Sequence, residues 1–326
     1  MNSASVSPAL LEAARQVQVS PDRTTATVGA RHIEADTSRE LRRLLSDALY
    51  QELHAGLDLE ENPLPFRLRD AEFERVLAEA VPHRETTLRG LVREVARPAD
   101  DDTSTYLVEL GGVLVRVPAD RIRGEGAVRP GAIVGVANTS LRPALSPGFF
   151  LVEGTAPHRS RDLLRVYVHI TRWTAADTIW RTALDHLEKH KVTYRAKIVS
   201  SKHLYPRRDA LVVYLDRDSR HAVHELAEAV GGLPGVGSQT SAFTRRLRPG
   251  VAAAWEPSDS AAGMDGLSFG QHRASVLAQA LVETADAPGS MAEVLQKRLV
   301  EANVDPADPS RNLDSADLWE AESVGA

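Results

Sequence analysis

The chain has 326 residues, a formal net charge of −6, 43% hydrophobic residues and no cysteine. The length predicts about two domains, and the composition predicts folded cores rather than disorder. The lack of cysteine excludes disulfides, thiol nucleophiles, iron–sulfur clusters and cysteine-ligated zinc. No apolar run approaches the ~18 residues of a membrane span and the first residues lack a signal pattern, so we expect a cytoplasmic protein without a membrane partner.

The charge is distributed unevenly along the chain. Residues 158–250 hold 17 Lys and Arg against nine Asp and Glu, whereas residues 251–326 hold four against 13. The positive segment predicts an anionic ligand. A nucleic acid fits poorly, because only 5% of the residues are aromatic and the acidic flanks would repel a polyanion. We therefore expect a compact phosphate or phosphopeptide site and no nucleic acid partner.

Two regions without recognisable chemistry come first. Residues 1–85 read as a helical N-terminal region, with apolar residues such as Leu41 and Leu45 at helical spacing. Residues 86–157 read as a small β-rich subdomain of short strands, with a hairpin signal at Gly111 and Gly112. By default we expect this subdomain to brace the fold of the third region, and the alternatives are that it binds a peptide or docks a partner protein.

Residues 158–326 form the third predicted region and hold the clearest periodicities. The stretch 163–170 alternates between apolar and polar residues, which predicts a strand. An amphipathic helix follows over 176–187, then a second alternating strand over 194–198, and the apolar run 211–215 predicts a strand buried on both faces. We therefore expect an α+β fold: a mixed or antiparallel sheet with helices on one face, preceded by helical and small β-rich N-terminal regions.

The two alternating strands predict a cationic face. If both strands lie in one sheet and turn their apolar sides to the helix, their polar residues share the opposite side. The residues on that side are Arg165, Tyr167, His169, Arg195 and Lys197. A slip of one residue in register would reverse a strand, so the prediction depends on how the strands pair.

Further candidates for binding an anion lie in nearby loops and helix ends. Those in loops are Lys202, Tyr205 and Arg208, followed by Arg245 and Arg246. His272 and Arg273 fall in the first turn of a helix that begins with a capping-box pattern, where cations oppose the helix dipole unless an anion is bound.

Each candidate also has a purely structural interpretation. Arg165 or Arg195 can belong to a surface ion pair, and Lys197 can be an ordinary solvated lysine. Likewise His169 can be a satisfied histidine at a sheet edge, and Arg273 can serve only to cap its helix. Periodicity alone does not choose between these interpretations.

The sequence predicts neither a metal site nor a cofactor. Two histidine pairs, His186 with His190 and His221 with His224, have spacings that can hold zinc. Neither pair has the HExxH frame, so we interpret both as surface residues. The chain also lacks the GxxxxGK[ST], GxGxxG and GxSxG patterns, which disfavours nucleotide hydrolysis, dinucleotide redox chemistry and serine hydrolysis.

Several of these segments together resemble the HopA-type type III effector domain family. The similarity is carried by 142–150 (RPALSPGFF), 165–169 (RVYVH), 194–197 (YRAK), 208–215 (RDALVVYL), 243–247 (FTRRL) and 268–273 (SFGQHR). It spans about residues 140–320. Actinobacterial members of this family look like stand-alone lyases of class V lanthipeptide and thioamitide biosynthesis.

The resemblance implies elimination of phosphate from phosphoserine or phosphothreonine in a ribosomal precursor peptide, giving dehydroalanine or dehydrobutyrine. Its partners would be the phosphorylated precursor peptide and a separate Ser/Thr kinase that forms a complex with the lyase. No cofactor is implied.

The related effector lyases use a lysine base, a histidine acid and arginines that bind the phosphate. The resemblance therefore implies Lys197 as the base, which neighbouring cations such as Arg195 would help to keep neutral. His169 would be the acid, with Tyr167 as its substitute. The family's Lys-x-His pair is Tyr167-Val168-His169 here, a departure that affects the acid more than the base.

Two alternatives remain at this stage. The protein can be a non-catalytic phosphopeptide-binding partner of a precursor-peptide kinase, or an effector-like protein acting on host phosphoproteins. Measuring product formation separates a binder from a lyase.

Overall fold

The computed structural model describes residues 5–57, 69–96, 105–124, 126–156, 162–285 and 290–316. The α-helices are α1 (Pro8–Arg15), α2 (Ser38–Leu49), α3 (Ala71–Glu79), α4 (Ala176–Lys189), α5 (Val223–Val230), α6 (Phe269–Thr284) and α7 (Met291–Glu301). A π-helical segment, Tyr50–Ala55, continues α2. Within these residues no helix is both long and apolar enough to cross a membrane.

The strands form three separate sheets. The short strands at the N-terminus are β1 (Gln18–Val19), β2 (Thr25–Val28) and β3 (Arg31–Glu34). The next sheet contains β4 (Glu85–Ala96), β5 (Thr105–Leu110), β6 (Val113–Pro118), β7 (Ile122–Arg123) and β8 (Ile133–Thr139). The main sheet contains β9 (Leu141–Ser146), β10 (Phe149–Glu153), β11 (Leu164–Ile170), β12 (Tyr194–Val199), β13 (Arg207–Leu215), β14 (Arg245–Arg248) and β15 (Val251–Trp255).

The main sheet pairs the two alternating strands through β13. Its strand order is β14-β15-β11-β13-β12-β10-β9, with antiparallel neighbours throughout. Tyr167 and Lys197 both pair with Val212, so they lie on the same face. Arg165 and Arg195 both pair with Tyr214 on that face. The shared face that alternation predicts for these four residues is therefore confirmed.

Both faces of the main sheet are covered by helices. On one face, apolar residues such as Val166 and Ala196 pack against Trp180 and the rest of α4 and α5. On the other, which we call the site face, Tyr167 and Val212 pack against α2 and α6. The α+β class with an antiparallel sheet is confirmed, but the expectation of helices on one face only is wrong. Apolar residues on both sides of the central strands require cover on both sides.

The N-terminal regions differ from the prediction in two details. Residues 5–57 contain a three-stranded sheet as well as helices. The strands 141–146 and 149–153, which the sequence places in the β-rich subdomain, belong to the main sheet because β10 pairs with β12. The β-rich subdomain that remains is the five-stranded sheet β6-β5-β4-β8-β7, with a small core of its own around Val92 and Val108.

Two glycines let the loop after α5 close against the turn between β14 and β15. Gly250 has φ +72, and a Cβ on it would overlap the carbonyl oxygen of Gly237. The His169 N–H donates to the Gly250 carbonyl at 2.8 Å, and the Gly237 N–H donates to the His169 carbonyl at 2.9 Å. This contact therefore holds the end of β11 in place.

We predict that Gly250→Ala lowers the free energy of unfolding by about 2 kcal/mol or more, because it adds both a clash and an unfavourable φ. Gly232→Ala is the matched control: Gly232 has φ +79, but a methyl group there would meet no atom within 4 Å, so only the backbone strain applies. Urea denaturation of both variants measures the difference, and equal losses would contradict the role of the Gly237 contact.

Candidate functional site

A cavity of about 800 Å³ opens on the site face of the main sheet. Its floor is formed by β11, β12 and β13, and its walls by the connection 256–268, the turn between β9 and β10, and the π-helical segment. Its polar and aromatic lining includes Tyr50, Ser146, Phe149, Arg165, Lys197, Tyr214, Glu256, Asp259, Asp265, Ser268 and Gln271. Two of the residues predicted from the sequence, Arg165 and Lys197, thus line one cavity.

Lys197 is half-buried in this cavity without a charged partner. Its Nζ lies 4.2 Å from the centroid of the Phe149 ring and 5.9 Å from that of Tyr214. It forms no hydrogen bond or ion pair with any residue that the structure describes. Aromatic faces attract an ammonium group but do not neutralise it. Lys197 is therefore available to an anionic ligand.

Arg165 is held in the floor by an ion pair. Its Nε and Nη2 donate to the carboxylate of Glu256, with a distance of 2.5 Å from Nη2 to Oε1. Burial alone would lower the pKa of this guanidinium, but Tyr167, Tyr214 and Glu256 raise it well above its usual value. Arg165 therefore stays charged, and the ion pair with Glu256 does not engage its Nη1.

Arg195 is held in a similar way on the other side of Tyr214. Its Nε donates to Oε1 of the buried Glu153 at 2.9 Å, and its Nη2 donates to the same oxygen at 2.5 Å. Both Arg165 and Arg195 thus belong to ion pairs, which is the structural interpretation given for them in the sequence analysis. Each pair leaves Nη1 outside it, so either arginine can bind an anion through that nitrogen. Arg165 lines the cavity, whereas Arg195 lies beside it on the same sheet face and is absent from the lining.

Tyr214 is a cavity residue that the sequence analysis missed. It lies between Arg165 and Arg195 in one row across the sheet, and the Arg165 guanidinium stacks 5.0 Å from its ring centroid. The stretch 211–215 reads as an apolar strand, which conceals the phenol within it. The period of two from Val212 was the signal that places Tyr214 on the site face.

Tyr167 lies on the predicted face but is covered. Its ring packs edge-on against His54 at 5.2 Å and against Phe269 at 6.0 Å. Its hydroxyl is buried without a hydrogen-bond partner within 3.5 Å, and burial raises its pKa. Tyr167 is absent from the cavity lining, so the structure places it in the packing beneath the site.

His169 lies outside the cavity that holds Lys197. The pairing of β11 with β13 shifts between Val168 and Ile170. The His169 ring packs against Gly237, where a Cβ would overlap it, and it does not line the cavity. Burial lowers the pKa of His169, and the nearby Arg208 lowers it further. The structure therefore does not bring His169 to the predicted base.

A buried polar network attaches the π-helical segment to the sheet beside the cavity. Arg207 donates to both carboxylate oxygens of Asp209, at 2.5 and 2.9 Å, and to the Tyr50 hydroxyl at 2.8 Å. The Tyr50 hydroxyl in turn donates to Asp209 at 3.2 Å. Burial alone would raise the pKa of Asp209, but Arg207 holds it well below its usual value. This network positions Tyr50 as a wall of the cavity.

His54 extends the network towards α6. It contacts the Ser241 hydroxyl at 2.9 Å through Nδ1 and lies 3.8 Å from Asp209 through Nε2. A Cβ on Gly270 would overlap its ring, so α6 begins directly on top of it. Burial lowers the pKa of His54 to about 4, which makes it neutral at physiological pH.

The predicted helix-end pair, His272 and Arg273, is engaged inside the protein. His272 Nε2 lies 3.0 Å from Asp259, and its Nδ1 lies 2.8 Å from Arg273 Nη1. Arg273 also donates to the Pro309 carbonyl at 2.8 Å and to Asn312 at 3.0 Å. Arg273 therefore joins α6 to the C-terminal segment. The capping box predicted at the start of α6 is confirmed, and its residues Ser268 and Gln271 line the cavity.

The remaining predicted residues lie outside the cavity. Lys202 is 3.5 Å from Glu72, and the Tyr205 hydroxyl donates to the Val199 carbonyl at 2.9 Å. Arg208 donates to the Glu52 carbonyl at 2.9 Å, Arg245 pairs with Asp308 at 3.3 Å, and Arg246 is exposed on the edge strand β14. The structure thus distributes the basic loops around the sheet instead of gathering them at Lys197.

We predict that the protein loses stability as the pH falls from about 6.5 to about 4. Burial lowers the pKa of His54 to about 4, and burial together with Arg273 does the same for His272. The unfolded chain takes up these protons first, so each histidine lowers the unfolding free energy by up to about 1.4 kcal/mol per pH unit in that range.

The test is urea denaturation of the wild type, His54→Gln and His32→Gln at several pH values. We expect His54→Gln to show a shallower pH dependence than the wild type, whatever its absolute stability. His32 is exposed, so His32→Gln serves as the control with an unchanged slope. If the unfolding free energy of His54→Gln depended on pH as steeply as that of the wild type, the assignment of His54 as a buried neutral histidine would be wrong.

Comparison with known proteins identifies a family whose model matches this chain. The model of the HopA1 effector protein family matches residues 140–311. A solved effector protein from Pseudomonas syringae pv. tomato strain DC3000 is 14% identical with a TM-score of 0.46, over 83% of this chain and 95% of that one. A second, from Pseudomonas syringae pv. syringae strain 61, is 17% identical with a TM-score of 0.44, over 84% and 92%.

No curated protein matches the chain at a significant level. The family match covers more than half of the chain and includes every strand of the main sheet, together with the cavity floor. It confirms the resemblance seen in the sequence. The chain belongs to the HopA1 effector protein family.

Proposed function

We propose that the protein is a phosphothreonine or phosphoserine lyase that acts on a phosphorylated ribosomal precursor peptide, as in lanthipeptide-type biosynthesis. The observation that carries this proposal is Lys197, a lysine without a carboxylate partner among the described residues, in a cavity beside an arginine and a tyrosine. A structural lysine would be expected to pair or to extend into solvent.

The reaction is a β-elimination. A base removes the Cα proton of the phosphoresidue, the electron pair of that C–H bond forms the Cα=Cβ double bond, and the Cβ–O bond breaks to release phosphate. The products are dehydrobutyrine from phosphothreonine or dehydroalanine from phosphoserine. No electrons are exchanged with another molecule, so the step balances without a cofactor.

Lys197 is the proposed base. Its amine accepts the proton in its neutral form, and the guanidinium groups of Arg165 and Arg195 are its cationic neighbours. Both lie on the same sheet face, in the next row of side chains along the strands. The aromatic walls of Phe149 and Tyr214 also limit the water around the amine.

The arginines are the proposed phosphate ligands. A phosphate leaving group carries about two negative charges, and donors held in advance stabilise the charge that develops on the breaking bond. Glu256 and Glu153 orient Arg165 and Arg195 through Nε and Nη2, which leaves Nη1 of each for the phosphate. Arg165 would hold the phosphate inside the cavity, and Arg195, which lies beside the cavity next to Tyr214, would approach it from the edge. Backbone N–H groups near Ser268 at the start of α6 extend this anion-binding edge of the cavity.

Tyr214 is the proposed proton donor to the leaving oxygen. The sequence suggested His169 or Tyr167, but neither lines the cavity. Tyr214 does, and it lies between the two arginines that would hold the phosphate. A phenol hydrogen-bonded to the bridging oxygen can donate as the Cβ–O bond breaks and regain its proton from water.

A separate Ser/Thr kinase is the proposed source of the substrate, because elimination requires a residue that is already phosphorylated. The same site without a competent base would make the protein a phosphopeptide-binding partner of that kinase. The two roles differ in the product: a lyase changes the mass of the peptide, whereas a binder only retains it.

The direct test is to incubate the protein with a phosphothreonine peptide and follow its mass. We expect loss of the mass of H3PO4 with the wild type and with Lys189→Ala, a control at an exposed lysine. Lys197→Ala should bind the phosphopeptide and lose elimination by at least about a hundredfold. Loss of HPO3 alone would indicate a phosphatase, and full elimination by Lys197→Ala would rule out Lys197 as the base.

A second prediction concerns the proton donor. Tyr214→Phe removes the hydroxyl and keeps the ring, so we expect kcat to fall by about a hundredfold with little change in KM. His169→Gln should retain most of the activity, since His169 lies outside the cavity. The opposite result, an inactive His169→Gln and an active Tyr214→Phe, would return the acid role to His169.

A further inference from the structure

We infer that a groove along α2 binds an acidic segment of the peptide that carries the phosphoresidue. We call the groove the arginine track and define it by Arg39, Arg42 and Arg43 of α2, with Arg23 and Arg298 at its far end. That this peptide is the substrate rests on the proposed function. That the groove binds acidic residues does not.

The arginine track is continuous with the candidate active site. A second cavity, of about 540 Å³, shares Tyr50, Leu267 and Gln271 with the active-site cavity. Its other wall is the exposed side of α2. A peptide that extends past Tyr50 from the phosphate site therefore comes next to α2.

The track continues beyond this second cavity. A third cavity, of about 330 Å³, shares Arg39 and Arg42 with the second and reaches Arg23 and Arg298. The three cavities thus follow one another from Lys197 along α2 and α6.

The arginines of α2 are arranged on one exposed side of the helix. Positions 39, 42 and 43 are three and four residues apart, so their side chains are neighbours on the surface. Leu41 and Leu45 anchor the opposite side of α2 in the core. Packing therefore accounts for the leucines, but it does not require arginine at the three exposed positions.

The carboxylates of the track already have partners, and two of the arginines do not. Asp47 lies 3.5 Å from Arg43, and Glu283 accepts from Arg298 at 2.5 Å. A third carboxylate, that of Glu40, accepts from the backbone at the start of α2. Arg39 and Arg42 form no ion pair or hydrogen bond with any residue that the structure describes. The track therefore presents unpaired positive charge.

An acidic peptide fits this surface better than a nucleic acid does. Guanidinium groups bind carboxylates through paired hydrogen bonds, and arginines spaced along a helix suit carboxylates spaced along an extended chain. Binding of single-stranded nucleic acid generally also uses stacking on aromatic rings. Tyr50 is the aromatic side chain among the described residues that line the second and third cavities, and its hydroxyl is held by Arg207 and Asp209.

The test measures binding of a labelled, unphosphorylated peptide rich in glutamate by fluorescence anisotropy. Its matched control is the same peptide with every glutamate replaced by glutamine. We expect the wild type to bind the glutamate peptide roughly tenfold more tightly, and the Arg39→Glu/Arg42→Glu variant to lose roughly tenfold in affinity for it. Raising the salt concentration should weaken the binding.

Arg75→Glu/Arg181→Glu is the matched control variant. It makes the same change in net charge with exposed arginines of α3 and α4, which pack on the opposite face of the main sheet. We expect its affinity for the glutamate peptide to stay within about twofold of the wild type. An equal loss in both variants would show a general charge effect and overturn the arginine track.

Two other outcomes would also overturn the inference. One is equal binding of the glutamate and glutamine peptides. The other is a single-stranded oligonucleotide that binds this surface more tightly than the glutamate peptide and displaces it.

Elimination from a short phosphopeptide that contains no aspartate or glutamate is measured separately with the wild type. Failure of that reaction counts against the lyase proposal, while failure of the anisotropy test counts against the track.

Discussion

The buried ion pair between Arg207 and Asp209 is the interaction on which the site depends. It lies at the start of β13 and receives Tyr50 from a segment more than 150 residues earlier in the chain. Removing one partner of such a pair leaves a buried charge uncompensated, which costs about 3–5 kcal/mol. The pair therefore selects one position for the π-helical segment, and with it the positions of α2 and His54. That anchor therefore sets the position of the Tyr50 wall of the cavity.

This anchor divides the site face into a covered part and an open part. His54 and Phe269 close over Tyr167, which becomes a packing residue. Tyr214 and Lys197, which lie one and two strands away from Tyr167, stay in the cavity. A continuous cationic face would expose all its charges to water, where they are screened. A partly covered face concentrates a few of them in a confined space, where they interact more strongly with a ligand.

Two carboxylates hold the arginine of the open part, Arg165, and its neighbour beside the cavity, Arg195, in fixed orientations. Glu256 and Glu153 reduce the net charge of the site, yet they fix the guanidinium groups of Arg165 and Arg195 in one orientation. Donors that need no rearrangement stabilise developing charge more effectively than flexible ones. Lys197 differs because no carboxylate among the described residues fixes it. This contrast between held arginines and an available lysine suits a division between binding a phosphate and moving a proton.

The sequence by itself determined the local features: the alternating strands, the shared face of Arg165, Arg195 and Lys197, the capping box at Ser268 and the family. These features follow from periods of two and 3.6 residues and from short motifs. Only the tertiary structure decided that α2 and α6 cover part of that face, that His169 packs against Gly237 outside the cavity, and that Arg273 binds the C-terminal segment. The period of two also places Tyr214 on the site face, but only the cavity shows that its side chain is accessible to a ligand. The physical reason is that strand periodicity is a property of neighbouring residues, whereas cover and access depend on contacts between segments far apart in the chain.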